Sequence, residues 1–153
     1  MQARMKNPVY ILPEAMKGIT TLIKSLNDDD LSQELQELVA LRTSQINGCS
    51  VCVYGHLAKA RKAGVTDERL FAVAAWREAP FFTDAERVAL ALAESVTRLA
   101  DRSGDAVPDE LWNEAVDHFD EKQLSAILFT IGLTNMFNRI NAVIKEPAGA
   151  TWD

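Results

Sequence analysis

Cysteine is scarce in this 153-residue chain: there are two, Cys49 and Cys52. A bridge across so short a loop removes little freedom from the unfolded chain, so the pair is not a structural staple. In a reducing compartment such spacing points to redox or metal chemistry. Long apolar runs are missing as well. No stretch of about 18 consecutive apolar residues stands ready to cross a bilayer, and the start, Met1 to Pro8, lacks the apolar core of a signal peptide. The expected location is therefore the cytoplasm, with no membrane partner. Lys and Arg form no cluster and the net charge is −6, which argues against nucleic acid, because phosphate binding relies on concentrated positive charge. Alternating apolar and polar runs are absent, so strands are not required and a thioredoxin-like fold is disfavoured. No internal repeat, low-complexity stretch or flexible linker divides the chain.

What is present is the balance of one soluble globular domain over residues 1–153, with 48% hydrophobic and 25% charged residues. Apolar residues recur at spacings of three and four, which predicts an all-α bundle of about seven helices. The first begins at Pro13 and runs to about Leu26. The Asn27-Asp28-Asp29-Asp30 cluster then suits the amino end of a second helix, which carries Leu31, Leu35, Leu38, Val39 and Ile46 on its buried stripe and ends at Asn47-Gly48. A third helix spans about Cys49 to Ala63 and stops at Gly64. Thr66 caps a fourth, which continues through Leu70, Val73 and Trp76 until Pro80 interrupts it. Thr83 with Glu86 has capping-box spacing for a fifth helix reaching about Leu99, Pro108 opens a short sixth, and Asp120 with Gln123 repeats the box for a long seventh ending before Pro147.

Cys49, Cys52 and His56 stand at i, i+3 and i+7, which on a helix sets all three along one face. A thiolate forms more readily at a helix amino terminus and beside an imidazole or a cation. The helix terminus favours a thiolate at Cys49, whereas His56 favours one at Cys52, and the spacing leaves that choice open. Either way the pair can pass between dithiol and disulfide, which is the chemistry of a peroxidase or a disulfide reductase. Glu34 and Glu37 lie on the preceding helix, which must fold back across Asn47-Gly48, so either could approach the histidine and hold its tautomer during proton transfer. Zinc is the rival reading. Three ligands fall one short of the usual four, however, and the second histidine, His118, lies in a distant segment. The alternative function is thus a non-catalytic oligomeric helical module that binds zinc or senses redox state.

The run Glu37-Leu38-Val39-Ala40-Leu41-Arg42, then Ser44 to Cys49, Cys52 and His56, resembles the alkylhydroperoxidase D-like branch of the carboxymuconolactone decarboxylase superfamily. The likeness continues through Ala63-Gly64, Glu68-Arg69-Leu70, Trp76 to Phe82, Ala89 to Glu94, and Asn135 with Asn138-Arg139, and covers most of residues 31–142. It implies an all-helical fold, a homo-oligomer that is a trimer or hexamer, and a peroxidase needing no cofactor and no metal. Its substrate is an organic hydroperoxide or hydrogen peroxide, and a dithiol or protein donor re-reduces it. By the same resemblance Cys52 is the attacking cysteine, Cys49 resolves, and His56 with Glu37 relays the proton. The sequence departs from the family's best-studied site at Val51, where that site has a second histidine. The decarboxylase branch generally lacks the cysteine pair. Trp76, Phe81 and Phe82 are expected to line an apolar entrance for substrate. The Trp76 to Phe82 segment and the long last helix also carry apolar surface suited to an interface between copies. Asn135, Asn138 and Arg139 form a polar strip, expected either in such an interface or on a solvated face.

Overall fold

The computed structural model describes residues 2–26, 31–101 and 103–149. Among these residues there is no strand. The α-helices are α1 (Pro8–Ile11), α2 (Pro13–Leu26), α3 (Gln33–Asn47), α4 (Ser50–Ala63), α5 (Asp67–Ala72), α6 (Asp84–Thr97), α7 (Asp109–His118) and α8 (Glu121–Ile144). The eighth helix, relative to the expected seven, is the single turn α1, too short to leave a periodic signal. It is capped by Asn7, whose side chain accepts from the Val9 N–H. The expected role of the 27–30 acidic cluster lies outside the described residues. The cap that is described for α3 is Ser32, whose hydroxyl accepts from the Leu35 N–H. Thr66 occupies the N-cap position of α5, but its side chain makes no capping bond there.

Helix α3 forms the centre of the bundle, packed by α4, α6 and α8. Surrounded in this way, it buries eight of its residues, from Leu35 to Ser44, rather than one stripe. On one flank Leu35 and Val39 meet Val88 and Leu92 of α6 and Ile127 and Ile131 of α8. On the other, Leu38 and Leu41 meet Leu70, Val73, Trp76 and Phe82. Each fully buried leucine contributes about 1.5–3 kcal/mol of hydrophobic burial. Capping boxes at Thr83/Glu86 and Asp120/Gln123 both form, fixing the starts of α6 and α8.

The fourth expected helix stops early. After Ala72 the chain tightens into a 3₁₀ turn, Val73–Ala75, and then leaves helical geometry well before Pro80. Two side chains of α6 hold this turn. Arg87 donates to the carbonyls of Trp76, Arg77, Ala79 and Phe82, supplying donors to backbone acceptors of the turn. Glu94 accepts from the Trp76 indole N–H at 3.0 Å and draws that ring inward.

Helix α8 is by length and composition apolar enough to cross a membrane, yet it runs along the bundle with Leu124, Ile127, Ile131 and Ile144 buried. Its outer side carries Phe129, Met136 and Val143, exposed and seven residues apart. The expected polar strip on this helix is only partly solvated, with Arg139 exposed and Asn135 half-buried. Asn138 is buried and donates to the Ser44 hydroxyl. The Asn47 amide donates to both Asn135 and Asn138 at 2.9 Å, tying α8 to the end of α3.

Candidate active site

The site is built on the turn between α3 and α4. Gly48 takes a left-handed conformation (φ 67°), which a side chain would disfavour. Its neighbour Cys49 is the N-cap of α4 with extended geometry, so the helix starts at Ser50, one residue later than expected. Cys52 falls in the first turn. Cys49 and Cys52 are joined as a disulfide, their Cα atoms 5.3 Å apart, and together with Val51 they make a small buried cluster of their own.

One turn further along α4, His56 meets Glu37 of α3, Nδ1 to Oε2 at 2.7 Å. The two side chains are 15% and 12% exposed, so the pair is largely withdrawn from water. In the neutral tautomer with Nδ1–H donating to Glu37, the second ring nitrogen carries the acceptor lone pair. The choice between the two glutamates is thereby decided. Glu34 instead lies 3.7 Å from the Arg69 guanidinium, on a more exposed part of α3.

Cys52, His56 and Glu37 open onto a common cavity of about 310 Å³. Its roof is α2, none of whose residues is buried. Met16, Ile19 and Ile23 of α2 face Leu133 and Phe137 of α8 across it. A sulfur beside an imidazole–carboxylate pair, on a chamber with both apolar and polar lining, suits a substrate with a small polar head and an apolar body.

The three expected entrance aromatics are elsewhere. Trp76, Phe81 and Phe82 do not line this cavity. Trp76 and Phe82 belong to the core beside Leu38 and Leu41, and Phe81 is exposed. Their grouping in sequence reflects the turn that Arg87 and Glu94 hold together. Arg77 also stacks on the Trp76 ring, 4.2 Å from its centroid, and Arg69 lies over Phe82 at 5.6 Å.

Sequence reasoning missed Asn141 of α8, whose Nδ2 lies 3.4 Å from the Cys52 sulfur, and the α2 residues of the roof. A signal for α8 existed. Thr130, Thr134 and Asn141 stand at i, i+4 and i+11, a polar line on one face of an apolar helix, and all three line the cavity. It also missed the Glu94 cluster on the far side of α3. That carboxylate is held by Arg42 (Nη2 at 2.6 Å), Arg77 (Nη1 at 2.5 Å) and the Trp76 indole. Burial alone would push its pKa up. The hydrogen bonds from Arg77, Trp76 and Arg42, with the Arg42 charge, outweigh burial and hold it below the usual value.

The sequence pattern of the carboxymuconolactone decarboxylase family matches residues 13–95, over half of the chain and all of Glu37, Cys49, Cys52 and His56. The chain belongs to this family. The uncharacterized protein YdfG of Bacillus subtilis (strain 168) is 34% identical over 140 residues, 92% of this chain and 93% of YdfG. A protein of unknown function from Agrobacterium tumefaciens, proposed as an antioxidant defence protein AhpD, superposes with a TM-score of 0.87 at 29% identity, covering 97% of this chain and 99% of that one. The all-helical, alkylhydroperoxidase D-like fold is thus shared over essentially the whole length. The fold also recurs in the debrominase Bmp8, with a TM-score of 0.76 at 23% identity over 90% of this chain and 73% of Bmp8.

Proposed function

We propose that this protein is a thiol-dependent hydroperoxide reductase. The observation that carries this reading is that Cys52, disulfide-bonded to Cys49, lines one cavity with the His56–Glu37 pair. In the reduced protein the Cys52 thiolate attacks the terminal peroxide oxygen. The O–O bond breaks, the alcohol leaves with a proton passed on by His56, and Cys52 becomes a sulfenic acid. The Cys49 thiolate then attacks that sulfur, the S–S bond forms and water leaves. Two electrons from an external dithiol or protein donor return the disulfide to thiols. Glu37 orients His56 and steadies its charged form during the exchange.

The apolar lining from α2 and α8 favours an organic hydroperoxide over hydrogen peroxide, since it gives the organic group somewhere to bury. A cytoplasmic setting, where thiols are kept reduced, fits a cycle that must regenerate its dithiol. The exposed line Phe129, Met136 and Val143 supports a homo-oligomer, a trimer or hexamer, whose copy number light scattering measures.

The test separates the two cysteines. Cys52→Ser should abolish turnover with cumene hydroperoxide and a dithiol donor. Cys49→Ser should react once and accumulate a sulfenic acid on Cys52, seen by mass spectrometry after trapping. Reversal of the two outcomes would reassign the attacking sulfur to Cys49. Two thiols surviving stoichiometric peroxide in the unaltered protein would end the proposal.

A further inference from the structure

The Cys52 sulfur has a third neighbour besides Cys49 and the cavity. Asn141 approaches it from α8, buried, with its amide nitrogen at 3.4 Å. A carboxamide can present either a donor or an acceptor, and the two have opposite effects on a thiol. An N–H stabilises the thiolate, whereas a C=O stabilises the S–H form.

The orientation is fixed by a chain of bonds that starts at the backbone. The Val9 N–H can only donate, and it donates to Asn7 Oδ1 at 3.3 Å. Asn7 must therefore turn its NH₂ outward, and it donates to Asn141 Oδ1 at 3.0 Å. With its oxygen so engaged, Asn141 turns its own NH₂ toward Cys52. The amino-terminal segment that carries Asn7 is itself anchored to the same end of α8, by Arg4 N–H to the Ile144 carbonyl at 2.7 Å and by the Arg4 guanidinium to the Val143 carbonyl.

We infer that Asn141 is a catalytic hydrogen-bond donor to the reduced Cys52 sulfur, held in its donating orientation by Asn7, a positioning residue. This rests on the reading of Cys52 as the attacking thiol. The titratable groups that share the cavity are Tyr10 of α1, Glu37 of α3, and His56 and Lys59 of α4, while the α2 residues lining it are uncharged. Asn141 thus supplies from α8 a neutral donor whose effect does not depend on its own protonation.

The experiment alkylates the single thiol of the Cys49→Ser protein with iodoacetamide across pH, with helical circular dichroism confirming the fold. Adding Asn141→Leu should move the reactive range to higher pH and slow alkylation at pH 7 by about ten-fold, the loss expected when a charged sulfur forfeits one hydrogen bond. Asn141→Ser, smaller and polar, serves as the second variant should the leucine variant fail to fold. Asn7→Asp keeps the acceptor for Val9 but places an oxygen against Asn141 Oδ1. Asn141 should then turn its oxygen to the sulfur and shift the profile the same way. Combining Asn7→Asp with Asn141→Leu should add nothing further, whereas additive shifts would assign the Asn7 effect to its new charge and overturn the relay. An unmoved profile in a folded Asn141 variant that still consumes hydroperoxide would overturn this inference alone. A moved profile in a protein whose Cys49 and Cys52 never react with peroxide would instead remove the proposed function and leave the hydrogen bond standing.

Discussion

Two glutamates on neighbouring helices, Glu94 buried and Glu37 largely so, sit in different surroundings. Glu37 of α3 pairs with an imidazole, a type of side chain that in general exchanges protons near pH 7, and the pair faces the cavity onto which Cys52 opens. Glu94 of α6 is gripped by two guanidiniums and an indole, none of which exchanges protons at that pH, and it does not line that cavity. A buried carboxylate is therefore not by itself a mark of chemistry. What distinguishes the two is whether the partner can titrate and whether substrate can reach it.

The sharpest way to break that contrast is kinetic. Glu37→Gln and His56→Ala should slow the first oxidation of Cys52 by roughly ten- to ten-thousand-fold, the range for loss of a proton-transfer partner. Stopped-flow measurement of thiol loss against pH reads it. If either variant oxidises at the parent rate, the pair is structural, as the Glu94 cluster is.

The sequence made one of these clusters legible and hid the other, for a physical reason. Helices α3, α4, α6 and α8 announce themselves by periodicity and by local caps, and the cysteines and His56 share one helix, so spacing alone aligns them. Spacing alone leaves Glu34 and Glu37 both open, and only the family resemblance singles out Glu37, because which of the two meets His56 depends on how α4 packs on α3. The Glu94 cluster joins Arg42 of α3 and the adjacent Trp76 and Arg77 of the turn after Ala75, 52 and 17–18 residues away along the chain. No local rule connects such positions, and Trp76 and Phe82 were accordingly assigned to an entrance when they lie in the core. Asn141 belongs to the same class, since its relation to Cys52 spans 89 residues.

The second test concerns stability. Glu94→Gln removes a charge that Arg42, which is largely buried, depends on, and the cost at pH 7 should be about 2–3 kcal/mol. That is below the usual penalty for breaking a buried pair, because Arg77 is 59% exposed and can turn to water. The Glu94 pKa is lower folded than unfolded. Its contribution is therefore complete above the ordinary carboxylate pKa and is lost as pH falls through the folded value. Denaturant melts between pH 7 and pH 3 should show the parent losing stability on acidification, and Glu94→Gln losing less. Cys52 oxidation at pH 7 should stay near the parent rate. A large kinetic defect in a folded Glu94→Gln protein would mean that the two carboxylates are not separate in function.

The smallest effect tests the position of Trp76. Trp76→Phe keeps most of the ring's bulk in the core beside Leu38 and Leu41 but deletes the N–H that Glu94 accepts. Losing that bond to a carboxylate should cost about 1–2 kcal/mol, the lower side of the range because Arg42 and Arg77 still hold the acceptor. The KM for an organic hydroperoxide should not change, since Trp76 does not line the cavity that Cys52 opens onto. Ile19→Ala on the α2 roof is the matching variant, for it widens that cavity and should alter KM while leaving stability nearly unchanged, none of α2 being buried. A KM shift in Trp76→Phe with none in Ile19→Ala would return the substrate path to the aromatic turn.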